Sequence, residues 1–114
     1  MTQSEDKLIT PVTDSTFDDL VLKSNKPAIV IVSAGWSAQH KMMKQIIASC
    51  AQEYRDMVKA YSVDLEQNSM ITGHHPVTTL PIFLSIQHGE IISRTEGVLP
   101  KPVLKSLFED LIED

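Results

Sequence analysis

Apolar residues follow two repeating patterns along this chain, short continuous runs and longer segments in which they recur every three or four positions. Ala28–Ala34 opens with five consecutive apolar residues, which predicts a central strand buried on both faces. After a break at Gly35-Trp36, helical spacing predicts a helix from Ser37 to about Arg55. Its buried face comprises Met43, Ile46, Ile47, Cys50 and Tyr54. Such a strand-to-helix corner offers free backbone N–H groups and the positive end of a helix dipole.

The N-terminal third predicts one further strand and one further helix. Leu8–Val12 is the strand candidate. Asp14 or Ser15 is expected to cap a helix that runs to about Lys23. The inner face of that helix is predicted to hold Phe17, Leu20 and Val21.

The C-terminal half predicts a third strand, a hairpin and a last helix. Ala60–Asp64 alternates in polarity, and a short helical segment opened by Asn68 or Ser69 is expected after it. Thr72–Leu80 is an irregular loop, and Pro81–Ile86 pairs with Ile91–Thr95 across a tight turn at residues 87–90. The last helix starts near Pro100 and Pro102, and its apolar positions are Val103, Leu104, Leu107, Phe108, Leu111 and Ile112.

This order of elements, βαβαβαββα, predicts a single α/β domain over residues 1–114. We expect a central mixed sheet of about five strands with helices on both faces. Hydrophobic residues at 42% and charged residues at 22% are typical of a globular protein. The net charge of −5 disfavours nucleic acid and anionic membranes as partners. A polar N-terminus, MTQSEDKL, and one cysteine favour a cytoplasmic location.

Residues 36–42 read W-S-A-Q-H-K-M and resemble the thioredoxin motif W-C-G-P-C-K-M. Ser37 replaces the first cysteine and His40 the second. The resemblance extends over most of the chain, through Val12–Phe17, Pro27–Val30, Ala60–Asp64, Leu80-Pro81, Gly89-Glu90 and Gly97. It implies a thioredoxin-like fold with a cis-proline at Pro81, and a family member that has lost its dithiol.

Two further family residues are replaced. Ile31 stands where thioredoxins carry a buried aspartate, five residues before the tryptophan, and Ala60 replaces the lysine that faces it. In the family that aspartate is thought to move protons to and from the buried thiol. Without thiols, an unpaired buried carboxylate would only cost stability. The joint loss therefore predicts a surface released from redox chemistry, with no catalytic residue and no cofactor.

Ser37 and His40 have two interpretations. Residues three apart share a helix face, so Ser37 could act as a nucleophile with His40 as its base. A Ser-His pair also needs a third group to orient the imidazole, however, and Ile31 stands at the family's aspartate position. The simpler interpretation is that Ser37 is the helix N-cap and that His40 is solvated, with its pKa lowered by the helix dipole.

Metal binding and thiol chemistry remain alternatives. His40 could ligate a metal with His74 or His75, although no ligand spacing supports a site and we expect none. Cys50 lies on the apolar helix face and is expected to behave as a core residue. An enzymatic role in cell redox homeostasis, through Cys50 or an atypical Ser/His site, is the alternative to a binding function.

The loops around the lost dithiol predict a protein-binding groove. In thioredoxins, these loops bind an extended substrate chain, with the cis-proline leaving nearby backbone groups free to pair. A tryptophan at a loop tip is a common binding hot spot. The predicted partner-binding residues are Trp36, Ser37, Ala38, Gln39, Leu80, Pro81, Gly97 and Val98. We therefore expect a non-catalytic adaptor, assembly factor or chaperone-like protein whose partner and oligomeric state the sequence does not specify.

Overall fold

The computed structural model describes residues 9–34, 37–65 and 79–112. Its centre is a five-stranded sheet with the order β1-β3-β2-β4-β5. The strands are β1 (Ile9–Pro11), β2 (Ala28–Ser33), β3 (Lys59–Asp64), β4 (Ile82–Gln87) and β5 (Glu90–Glu96). The first three are parallel, whereas β4 runs antiparallel to both β2 and β5, so the sheet is mixed. The predicted α/β architecture, with β2 at its centre, is confirmed.

Two α-helices cover one face of the sheet. Helix α1 spans Ala38–Glu53 and helix α2 spans Lys101–Ile112. Both pack on β2 and β4 in one apolar cluster, in which the Tyr54 and Phe108 rings stack with centroids 5.6 Å apart. Val103 is an exception to the predicted inner face of α2, because it is exposed. It lies one position before Leu104, and successive helical residues point about 100° apart.

A second apolar cluster fills the opposite face of the sheet, where Phe17 and Val21 pack beside Val30 and Leu84. The segment that supplies Phe17 and Val21 differs from the predicted helix. It is a single π-helical turn, Asp18–Leu22, closed by a bond from the Lys23 N–H to the Asp18 carbonyl oxygen.

Neither Asp14 nor Ser15 caps this turn, because Thr13 and Thr16 hold the chain that leads into it. The Thr13 N–H donates to Thr16 Oγ1 at 2.9 Å, and the Thr13 carbonyl accepts from Phe17 N–H. The placement of Leu20 on the inner face was wrong, since Leu20 is 42% exposed. A π-turn winds through fewer degrees per residue than an α-helix, so Val21 stays on the face of Phe17 while Leu20 rotates away.

The β4–β5 hairpin is confirmed. His88 and Gly89 form its two-residue turn, and both have positive φ, 56° and 77°. Positive φ at both central residues defines the type I′ turn that suits the twist of a hairpin. Within the described ranges, no helix is long and apolar enough to span a membrane.

Several predictions fall outside the described residues. They concern Leu8, Trp36, the helical segment from Asn68 or Ser69, and the loop that carries Gly73, His74, His75 and Pro76.

Candidate functional site

The N-terminus of α1 is capped by Ser37, as the sequence predicted. Ser37 Oγ accepts a hydrogen bond from the backbone N–H of His40 at 3.1 Å. Its own N–H donates to the Ala34 carbonyl oxygen at 3.0 Å, and the residue is buried. A serine with extended backbone and this bond satisfies one of the free N–H groups of the first helical turn. The hydroxyl therefore has a structural role at the position of the family's first cysteine.

His40 is half-buried, whereas the sequence predicted a solvated side chain. Burial lowers the pKa of its imidazole below the ordinary value of 6.5, and the ammonium of Lys44 lowers it further. The dominant cause is therefore loss of water around the ring, where the sequence had suggested the helix dipole. At neutral pH the ring is uncharged, with one nitrogen able to donate and the other to accept.

The described geometry does not assemble a Ser-His nucleophile. The bond that joins Ser37 and His40 uses the backbone N–H of His40 and not its imidazole. Ile31 is buried in β2, where it lies opposite Ser62 on one side and Phe83 on the other. It supplies no group that could orient an imidazole.

Two other loops meet this corner at the same edge of the sheet. The Leu80-Pro81 peptide bond is cis, as the family resemblance implied. The Pro81 carbonyl oxygen accepts from Gly97 N–H at 2.9 Å, and Leu99 N–H donates to the sulfur of Met43 on α1 at 3.4 Å. The loop around Gly97 thus bridges the cis-proline loop and the first turns of α1.

Gly97 is required by its backbone conformation. Its φ is +91°, a region that side chains disfavour, and an added Cβ would lie 3.1 Å from Thr79 Cγ2. The glycine therefore allows the two loops to approach closely.

The predicted groove residues differ in exposure. Ala38, Gln39 and Val98 are exposed, and Val98 is 47% exposed. Ser37, Pro81 and Gly97 are buried, and Leu80 is buried in the core cluster with Val32 and Ile82. Leu80 and Gly97 therefore pack beneath the protein surface at these loops and are not exposed on it. Trp36 lies outside the described residues.

Sequence reasoning missed Met42, which is 70% exposed on α1. The next residue, Met43, accepts a hydrogen bond from Leu99 N–H through its sulfur. Met42 and Val98 each precede one of these two contacting residues in the chain. Met42 departs from the apolar helical stripe that begins at Met43, and that departure was the available signal.

Cys50 is a core residue, as predicted. It is 0% exposed in the cluster between α1 and α2. Burial raises the pKa of its thiol, an effect that Lys101 partly opposes. A thiol in this setting is a poor nucleophile, because the thiolate is the reactive form.

A metal site receives no support from the residues that the structure describes. Among them, no group of three or more His, Cys, Asp or Glu side chains could hold an ion. His74 and His75, the proposed partners of His40, lie outside these residues.

Comparison with known proteins gives a consistent family assignment. Residues 8–110 match the family described as Thioredoxin. Thioredoxin 1 of Synechococcus elongatus is 28% identical over 98 residues, which cover 86% of this chain and 92% of that protein. Thioredoxin of Pyropia yezoensis is 25% identical over 91% of this chain and 97% of its own length. Thioredoxin Y, chloroplastic, of Oryza sativa is 30% identical over 89% of this chain and 60% of its own length.

Proposed function

The chain belongs to the thioredoxin family, and from that premise we propose that it is a non-catalytic member that binds a protein partner without thiol exchange. The single observation that carries the proposal is the position of its one cysteine. Cys50 is fully buried on the inner face of α1, whereas Ser37 and His40 occupy the two motif positions. A thioredoxin reaction needs two thiols that alternate between dithiol and disulfide, and one buried thiol cannot complete that cycle.

The retained architecture of the three loops supports a binding role. The Gly97–Pro81 hydrogen bond and the Leu99–Met43 contact hold these loops together although no dithiol lies between them. Exposed apolar side chains border them, namely Met42 on α1 and Val98 on the loop. Methionine is common at surfaces that bind several partners, because its flexible thioether adapts to different shapes.

We define the docking surface by its exposed members, Ala38, Gln39, Met42 and Val98. The wider set predicted from the sequence, which includes Trp36, remains part of the proposal. A cytoplasmic location is also part of it, and the chloroplastic relatives show that thioredoxins occur in other compartments.

The test compares matched surface variants. Val98→Asp places a charge on the docking surface, whereas Met57→Asp places the same charge on an exposed residue beyond the C-terminal end of α1. Leu80→Asp is unsuitable, because a carboxylate in the core would unfold the protein. Each variant is first shown to be folded by circular dichroism. Proteins captured from lysate of the native cell are then identified by mass spectrometry, with Cys50→Ala as a thiol-free control.

We expect specific proteins to be lost with Val98→Asp and retained with Met57→Asp and Cys50→Ala. In parallel, the wild type should not accelerate reduction of insulin disulfides by dithiothreitol. Catalysed insulin reduction, or capture that depends on Cys50, would instead favour the competing role in redox homeostasis. Equal capture by all variants would refute the docking surface.

A further inference from the structure

A cleft lies on the side of α1 that faces strands β1 and β3, separate from the docking surface. Its volume is about 240 Å³, and most of its lining is apolar. Ile31 and Ile47 lie between the sheet and the helix, Ile9 and Pro11 come from β1, and Ala48 comes from α1. The cleft thus has an apolar wall on each side.

Three polar residues line the same cleft. They are His40 and Lys44 on α1 and Ser62 on β3. A second cleft of about 350 Å³ adjoins it through these same three residues, with Lys41 and Asp64 among its lining. A concave apolar site with a few convergent polar groups and a titratable side chain of perturbed pKa is the usual form of a small-molecule site.

We propose that this cleft binds a small monocarboxylate with an apolar tail. The carboxylate is held by the ammonium of Lys44, with the Ser62 hydroxyl and the neutral His40 ring as hydrogen-bond donors. The tail packs against Ile9, Ile31 and Ile47. This inference concerns a different surface from the protein-binding proposal and does not depend on it.

The charges around the cleft favour a single negative charge. Lys44 is the one charged residue that lines the apolar cleft among the described residues, and it complements one carboxylate. The adjoining cleft is lined by Asp64 as well as by Lys41. The negative charge of Asp64 would repel a dianion such as a phosphate ester. The cleft is smaller than the pockets of about 300–1,000 Å³ that hold drug-sized ligands, so the tail is restricted to a short alkyl chain or one ring.

Hexanoate is the probe, and hexanamide is its neutral analogue. Binding to the full chain is followed by nuclear magnetic resonance, using the backbone amides and the His40 imidazole. We expect saturable shifts for residues of the cleft with hexanoate and much weaker ones with hexanamide. A bound carboxylate should also raise the pKa of His40, which burial and, secondarily, Lys44 lower in the free protein. Lys41, Lys44 and Asp64 are the charged residues that line the adjoining cleft with His40.

Two variants test the two halves of the site. Lys44→Ala removes the cation and should weaken hexanoate binding by about tenfold. Ala48→Phe fills the cleft from α1 without changing the charge and should abolish binding. Lys59→Ala removes an exposed lysine elsewhere on β3 and should leave binding unchanged.

Three outcomes would overturn the inference. Equal binding of hexanamide and hexanoate would mean that the cleft selects apolar groups and not carboxylates. Equal binding of acetate and hexanoate would eliminate the apolar tail from recognition. Absence of cleft shifts with hexanoate in the folded wild type would eliminate the site.

Discussion

Replacing Ile31 with aspartate restores the acidic side chain that thioredoxins carry at this position, but in surroundings that have changed. Ile31 is buried in β2 and belongs to the same apolar cluster as Met43 and Ile47. The matched control is Ile31→Asn, because asparagine has nearly the same shape as aspartate and cannot ionise. The difference between the two variants isolates the effect of the charge.

The magnitude follows from two contributions. Both variants lose the burial of an isoleucine side chain, about 1.5–3 kcal/mol. Both also bury a polar group without an assigned partner, which costs about 1–3 kcal/mol more. The free energy of unfolding of natural domains is about 5–15 kcal/mol, so these losses are a large part of it. Sucrose, added equally to both variants, stabilises the folded state and keeps enough folded protein for measurement.

The charge adds a pH-dependent contribution that only the aspartate variant carries. Burial should raise the folded-state pKa of the introduced carboxyl above the unfolded value of about 3.9. The free energy of unfolding of Ile31→Asp therefore has no contribution from the charge below that unfolded value, and it falls as pH rises from there through the folded pKa. If the folded-state pKa is raised by about two units, the free energy of unfolding of Ile31→Asp should be about 2.7 kcal/mol lower than that of Ile31→Asn at pH 8. Near pH 3 the charge should make no difference between the two variants.

Urea denaturation followed by far-ultraviolet circular dichroism at pH 4, 6 and 8 measures this difference. A constant difference across these pH values would refute the reasoning, because the site would then accommodate a carboxylate as well as water does. Lys44 lines the same cleft as Ile31 and could supply that compensation. Combining each variant with Lys44→Ala would identify it, since the pH dependence would then appear.

Three further predictions concern the site and its support. Ser37→Ala should lower the free energy of unfolding by about 1 kcal/mol through loss of the N-cap, measured by urea denaturation, whereas Ser37→Asn should retain most of it. Cys50 should resist iodoacetamide in the native protein and react in urea, and rapid native labelling would contradict its burial. A hydrogen bond to Glu109, with burial adding to it, raises the pKa of Tyr54 to about 12. Tyr54→Phe should therefore destabilise the protein below pH 10, and the deficit should shrink between pH 10 and 12 because unfolded tyrosine ionises first. Absorbance titration at 295 nm provides the independent measurement of that pKa.

The elements around the site were predictable because their signals are local. A continuous apolar run identified β2, a period near 3.6 identified α1, and a hydroxyl before that helix identified Ser37 as its cap. The first helix was predicted less well, because over five residues the apolar pattern in the sequence does not distinguish a π-turn from an α-turn. Leu20 was placed on the inner face by assuming α-helical winding, and the different winding of the π-turn turns it outward.

Composition and local patterns were enough to predict that the chain has one cysteine, that Ser37 caps α1 and that β2 lies at the centre of a mixed sheet. Packing between distant segments, in contrast, buries Leu80 and leaves Met42 exposed to solvent. The same packing brings His40 and Ser62, 22 positions apart in the chain, into the lining of one cleft. Periodicity fixes the direction in which a side chain leaves its own helix or strand. What covers that side chain depends on how distant segments pack, which short-range patterns do not encode.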